Sequence, residues 1–173
     1  MKLRVKRHTV VQPLDQSYRF IPLTQGQNAI VDAEDFDWLS QWNWYALWNK
    51  YTKTFYAIRY IPEGSLSMHR EIMRCRPGEE CDHKNFEGLD NRKVNLRRCS
   101  QQQNKKHKRR QTNNSSGYKG VSLKRPRKWV AQISTNGKRI HLGYFTTPKE
   151  AAMAYDVAAK WYYGEFAHLN FPN

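Results

Sequence analysis

Residues 117–173 carry a series of local signals that few folds can satisfy together. Asn136-Gly137 lies between strand-like residues Ile133 and Ile140. This dipeptide is a strong hairpin signal, because both central residues of a type I′ turn need positive φ. Val121, Trp129, Val130 and Ile133 lie in strand-like runs. Downstream, Thr147-Pro148-Lys149-Glu150 supplies an N-cap, a first-turn proline and a capping-box acid. The predicted helix carries Ala151, Ala152, Ala154, Ala158 and Ala159 and stops before Gly164. Small residues on one helical face allow close approach to a sheet. The expected unit is a three-stranded antiparallel sheet packed on one α-helix.

Charge places this unit beside a polyanion. The 173-residue chain has 30 Lys and Arg against 15 Asp and Glu, a formal net charge of +15. From Asn91 to Lys149 there is no acid, yet there are 17 Lys and Arg. That 59-residue block is the expected footprint on phosphate. Its sharpest cluster is Lys105, Lys106, Lys108, Arg109 and Arg110, a tract that would also serve as a solvated linker. The basic residues alternate with strand-like aromatics rather than following one amphipathic helix, which weakens a membrane-surface reading. No stretch is apolar and long enough to span a bilayer. The basic start, Met1 to Arg7, has no apolar core after it and does not read as a secretory signal. Cys75, Cys81 and Cys99 are irregularly spaced, so no disulfide framework is expected and an intracellular, reducing setting is.

The chain divides into four segments by composition. Residues 1–62 are aromatic-rich and strand-like: Trp44 to Trp48 and Phe55 to Ile61 read as two strands, turning near Asn49-Lys50. Asp32, Glu34, Asp35 and Asp37 flank Phe36, Trp38 and Leu39, which predicts a short amphipathic helix with acids near its start. The aromatics suit a core or base stacking, and a small domain's need for large buried side chains favours the core. Residues 63–110 hold the chemistry, 111–116 read as a polar linker, and 117–173 form the sheet-and-helix unit. The expected class is α+β, with an N-terminal β-rich extension.

Residues 63–110 contain Cys81-Asp82-His83-Lys84-Asn85, Asp90-Asn91, then Asn95-Leu96-Arg97 and Asn104. In residue type, order and spacing this resembles the HNH nuclease family, in particular its phage-type homing-endonuclease branch. The resemblance implies a ββα-metal motif. His83 would be general base, Asn95 would bond across the loop and orient it, and Asp82 and Asn104 would be oxygen ligands of Mg2+ or Mn2+. Met68-His69-Arg70-Glu71 matches a segment that often precedes the motif. There Arg70 would touch phosphate, while His69 would pack beneath the site. His107 is expected to line the DNA track. A zinc site from Cys75, Cys81, His83 and Cys99 is the competing reading, although close Cys pairs are absent.

Residues 117–172 contain Gly117-Tyr118-Lys119-Gly120-Val121, Trp129-Val130-Ala131-Gln132-Ile133, Leu142-Gly143-Tyr144-Phe145, Ala154-Tyr155-Asp156 and Leu169-Asn170-Phe171-Pro172. They resemble the plant Apetala-two (ethylene-response-factor) DNA-binding domain over nearly its whole length. The resemblance implies that the sheet enters the major groove, with Lys119, Lys124, Gln132 and Arg139 facing DNA. Arg125, Arg127 and Lys128 would add phosphate contacts. This chain has Ser122 and Ser134 where the family often has Arg, and His141, also expected at DNA, where it has Trp. Changed base contacts of this kind alter the site that is read.

Together the two resemblances imply a metal-dependent HNH endonuclease acting on double-stranded DNA, positioned by a C-terminal reader. No protein partner is implied, and the setting would be cytoplasmic (the host cytoplasm for a phage-encoded protein). The alternative is a sequence-specific DNA-binding transcription regulator whose nuclease part is inactive.

Overall fold

A computed structural model describes residues 7–107 and 114–172. The chain is mixed α+β, with antiparallel sheets and a C-terminal helix. It divides into two compact units, residues 1–101 and 102–173. Among the described residues, no helix is long and apolar enough to cross a membrane.

The first unit begins with hairpin β1 (Tyr18–Pro22) and β2 (Asn28–Asp32), followed by helix α1 (Ala33–Ser40). The acids expected at the helix start are there: Glu34 and Asp35 occupy its first turn. Asp32 sits at the N-cap without a side-chain cap bond. Its carboxylate instead accepts from the Lys93 backbone N–H at 2.7 Å. Strands β3 (Tyr45–Asn49), β4 (Thr54–Ile61) and β5 (Gly64–Ser67) form an antiparallel sheet in the order β3-β4-β5. Helix α2 (Met68–Ile72) follows, then hairpin β6 (Glu80–His83) and β7 (Leu96–Cys99). The core joins Leu23, Val31, Leu39, Trp44, Met68 and Leu96. Trp44 is fully buried, and its indole N–H donates to Leu39 O at 2.9 Å, so the largest core residue leaves no polar atom unsatisfied. The preference for a core role holds for Trp44. Trp48 and Tyr51 remain exposed.

The second unit contains α3 (Gln101–His107, from Gln102 onward), β8 (Val121–Arg125), β9 (Lys128–Thr135), β10 (Lys138–Phe145) and α4 (Pro148–Tyr163). The strands pair antiparallel in the order β10-β9-β8. Asn136 and Gly137 have φ of 49° and 73°, the positive pair that a type I′ turn demands. Thr147 Oγ1 accepts from Glu150 N, and the Glu150 carboxylate accepts in return from Thr147 N, completing the capping box. Ala151, Ala152 and Ala159 are fully buried, so α4 lies close on Val121, Ala131 and Ile133. Gly120 marks the tightest approach: a Cβ there would stand 2.0 Å from the Tyr155 ring, and its φ is +75°. Asp156 secures the C-terminal segment by accepting from the backbone N–H groups of Asn170 and Phe171, each at 2.9 Å. Asn170 in turn accepts from Lys119 N and donates to Lys119 O.

A ββα unit built around a metal is not shown. β6 and β7 form the expected hairpin, but α3 belongs by its contacts to the second unit.

Candidate nucleic-acid interface

The two faces of the β8–β10 sheet differ because strand residues alternate. Trp129, Ala131 and Ile133 of β9 point toward α4 with Val121 of β8 and Ile140 of β10. The opposite face carries Lys128, Val130, Gln132 and Ser134. Register places Ser122 and Tyr144 opposite Val130, His141 opposite Gln132, and Arg139 opposite Ser134. Two irregularities shape this face. The register shifts between His141 and Gly143, which turns Tyr144 onto the same side as His141, their rings 4.7 Å apart. A second shift, between Leu123 and Arg125, leaves Lys124 in a bulge. Such irregularities re-aim side chains that a regular strand would send elsewhere.

The face is cationic and largely exposed, with Val130 fully buried on it. Lys124, Lys128, Arg139, His141 and Tyr144 are exposed, as are Arg125 and Arg127 at the β8–β9 turn. Among the described residues, none of these cations is in an ion pair. The Lys128 ammonium lies 6.0 Å from the Tyr144 ring centroid. Gln132 is half-buried on this face. Sequence reasoning gives Lys128 only a phosphate role and gives Tyr144 none. Period-two alternation places Lys128 on this face, but Tyr144 joins it only through the bulge.

Other basic residues expected at DNA are placed differently. The Lys119 ammonium donates to Lys106 O at 2.7 Å, and burial pushes its pKa down to about 8. The Lys106 ammonium donates to Ser134 O at 2.5 Å and lies 4.8 Å from the Tyr163 ring centroid. His107 is buried, its ring 6.3 Å from that of His168, so it does not line a solvent-facing track. Lys105 is exposed on α3. Lys108, Arg109 and Arg110 lie outside the described residues.

In the first unit, Asp82 and Arg97 face each other across β6 and β7. The Asp82 carboxylate accepts from Arg97 Nη2 at 2.9 Å and Nε at 3.3 Å, and both side chains are nearly buried. His83 ends β6; its Nε2 lies 3.3 Å from Asn91 Oδ1, an acceptor, so Nε2 carries the proton in this arrangement. Asn95 does bond across the loop, accepting from Asn85 N and donating to Asp90 O. His69 stacks edge-on against His83 with ring centroids 4.7 Å apart, and Tyr56 touches both rings. Desolvation lowers both histidine pKa values, that of His69 to about 3. His69 Nδ1 is buried without a hydrogen-bond partner. The Arg70 guanidinium, expected at phosphate, donates to Glu79 O at 2.6 Å. Asn104 stands on α3, in the second unit.

The chain is similar to several plant proteins named as transcription factors or as response-element-binding proteins. "Dehydration-responsive element-binding protein 2D" of Arabidopsis thaliana is 52% identical over 35% of this chain and 30% of its own length. "Dehydration-responsive element-binding protein 2A" of the same plant is 48% identical over 35% of this chain and 18% of its own. "Ethylene-responsive transcription factor ERF010", also of Arabidopsis thaliana, is 46% identical over 32% and 31%. The chain therefore spans about a third or less of the length of these relatives.

These similarities correct the enzymatic expectation. None of these relatives is named as a nuclease or as any enzyme. His83 and Asn95 are accordingly not assigned as catalytic residues; their polar groups serve the β6–β7 loop and the buried ring cluster. The expected Mg2+ or Mn2+ cofactor falls with them. Among the described residues no group of three or more His, Cys, Asp or Glu side chains is placed to hold a metal. Asp82 is engaged by Arg97. The zinc reading fails on the same ground, with Cys75, Cys81 and Cys99 present as free thiols. What the comparisons support lies in the second unit, where residues 116–165 match the AP2 domain family.

Proposed function

We propose that the protein is a sequence-specific DNA-binding transcription regulator whose β8–β10 sheet reads duplex DNA. The observation that carries this is the exposed sheet face bearing Lys128, Arg139 and His141, with exposed Lys124 at the β8 bulge, within a block free of acids from Asn91 to Lys149. A twisted antiparallel sheet fits the major groove, where base edges present distinct patterns of donors and acceptors. Arg139, with its forked guanidinium, and Gln132 are the base readers. Lys124, Lys128, Arg125 and Arg127 position the sheet on phosphate. Lys105 and the tract Lys108, Arg109 and Arg110 add sequence-independent attraction. The match to the AP2 family and the names of the relatives support this reading.

The test is selection of bound duplexes from a random library by the full chain, followed by mobility shift. An enriched motif, with affinity falling steeply as salt rises, is expected. Equal retention of all sequences would overturn the assignment of sequence specificity. Scission of the duplex by purified protein supplied with Mg2+ would overturn the non-enzymatic reading.

A further inference from the structure

The tip of the β3–β4 hairpin is built like a second nucleic-acid contact. Trp48 and Tyr51 project from it, 50% and 85% exposed, and Lys50 and Lys53 flank them in solvent. Exposure this high in a tyrosine is not needed for the core, which already has Trp44 and Phe55. The tip is well defined. Asn49 Oδ1 accepts from Tyr51 N at 2.9 Å and Thr52 N at 3.2 Å, while Lys53 N donates to Asn49 O at 2.8 Å. Trp48 is held edge-on against Phe55, with centroids 5.0 Å apart, and the Lys50 ammonium lies 5.1 Å from the Tyr51 centroid. No Asp or Glu occurs from Trp38 to Pro62. Acids close in sequence are therefore absent, while the bond from Gly88 N to Thr54 Oγ1 at 3.1 Å brings exposed Glu87 near the base of the hairpin rather than into its turn.

We infer that this hairpin tip docks on duplex DNA, with Lys50 and Lys53 on phosphate and Tyr51 against the groove. A two-stranded ribbon has the width the major groove admits. Lysine and an exposed ring together match a polyanion whose groove offers base edges and thymine methyl groups to an apolar surface, whereas an acidic protein surface would leave the ring without a role. The inference rests on the DNA-binding reading proposed above and adds a contact from the unit outside the AP2 match.

The experiment uses the full chain and a mixed-sequence duplex of about three helical turns, with affinity measured across a salt series. The comparison includes Lys50→Gln/Lys53→Gln, Tyr51→Ala and, as a control in the other unit, Arg139→Ala. All four substituted residues are exposed, so folding is checked simply by circular dichroism. Each phosphate contact contributes about 0.9 to the slope of log K against log salt. The double lysine variant should therefore flatten the slope by roughly 1.8. Tyr51→Ala should weaken binding by roughly tenfold, the scale of one lost contact at base edges in the groove. An unchanged slope and affinity in both hairpin variants, with Arg139→Ala still impaired, overturns the hairpin contact and leaves the reader intact. Absence of duplex binding by the unsubstituted chain overturns the reading beneath it. Loss confined to a single-stranded probe overturns the duplex assignment.

Discussion

Arg59, Arg70 and Arg97 of the first unit and the exposed cations of the β8–β10 sheet in the second are used in opposite ways. In the first, guanidinium groups are spent internally: Arg97 on Asp82, Arg59 on Glu71 at 2.6 and 3.0 Å, and Arg70 on backbone carbonyls. In the second, exposed Lys128 and Arg139 on the sheet face and exposed Lys124 at the β8 bulge are in no ion pair among the described residues. A paired charge has its field cancelled and contributes to shape, whereas an unpaired exposed charge remains available to a ligand. Residue type alone therefore says little about function, and the location of the counter-charge decides. The sharpest way to break this comparison is to remove a buried partner. Arg97→Ala leaves Asp82 nearly buried and without its guanidinium, which should destabilise the first unit by about 3–5 kcal/mol. Denaturant unfolding followed through the Trp44 environment checks this. A loss under about 1 kcal/mol would place the pair with weak surface bridges.

The buried histidine pair gives the next largest effect, and it has a defined sign. Desolvation holds His69 and His83 below their ordinary range, His69 to about 3. His83, Arg70 and Asp82 act on His69; Asp82 and Asp90 act on His83. Because the folded pKa is depressed, the unfolded chain binds more protons once pH drops below about 6.5. Stability of the first unit is thus fully present above that pH. It should fall by about 1.4 kcal/mol per pH unit for His69 alone as pH drops toward its folded value. Hydrogen exchange at β6 and β7 between pH 7 and 5 reads this directly, after correction for intrinsic exchange. Stability flat across that interval would show that the rings remain hydrated.

The second unit was the more legible one. Asn136-Gly137, Thr147-Pro148 and Glu150 act through local backbone geometry, so their signals survive without knowledge of the fold. The alanines of α4 are similar, since a stripe of small residues serves close helix–sheet packing. The first unit shows the opposite. Asp82, His83, Asn95 and Asn104 have the types and order of a metal site, but such a site depends on where each side chain's partner stands. Arg97 is 15 residues from Asp82, and only strand pairing brings it across. Tyr144 escapes sequence reasoning because one bulged position reverses its face. Lys119 looks like a DNA ligand in sequence, yet its ammonium turns to a backbone carbonyl.

Displayed charge should behave in reverse to buried charge. Arg139→Ala is expected to cost about 1–3 kcal/mol of affinity for the selected duplex, the scale of one base contact. Its stability should shift by no more than about 0.5 kcal/mol, because the side chain is exposed and unpaired. Lys119→Met supplies the contrast. It removes a half-buried ammonium bonded to Lys106 O, so stability rather than salt slope should respond. Affinity by fluorescence anisotropy and thermal unfolding, measured on the same samples, separate the two classes. Equal loss of affinity in both variants would erase the distinction between displayed and engaged cations in this unit.

The smallest effect concerns the helix ends rather than the charges. Thr147 caps α4 through the bond from Glu150 N, whereas Asp32 at α1 gives its carboxylate to Lys93 N and forms no cap bond. Thr147→Ala should therefore cost about 1 kcal/mol of the second unit's stability, the value of an N-cap. Glu150 would lose only its reciprocal partner, since its carboxylate still accepts from Thr146 Oγ1 and from the backbone N–H at position 147. Exchange should quicken in the first turn of α4 while β9 changes less, because end fraying opens fewer bonds than global unfolding. Uniform acceleration across β8, β9 and β10 would mean instead that α4 and the sheet open as one cooperative unit. The cap would then set the stability of the reading face itself, and loss of an uncharged threonine would weaken DNA binding.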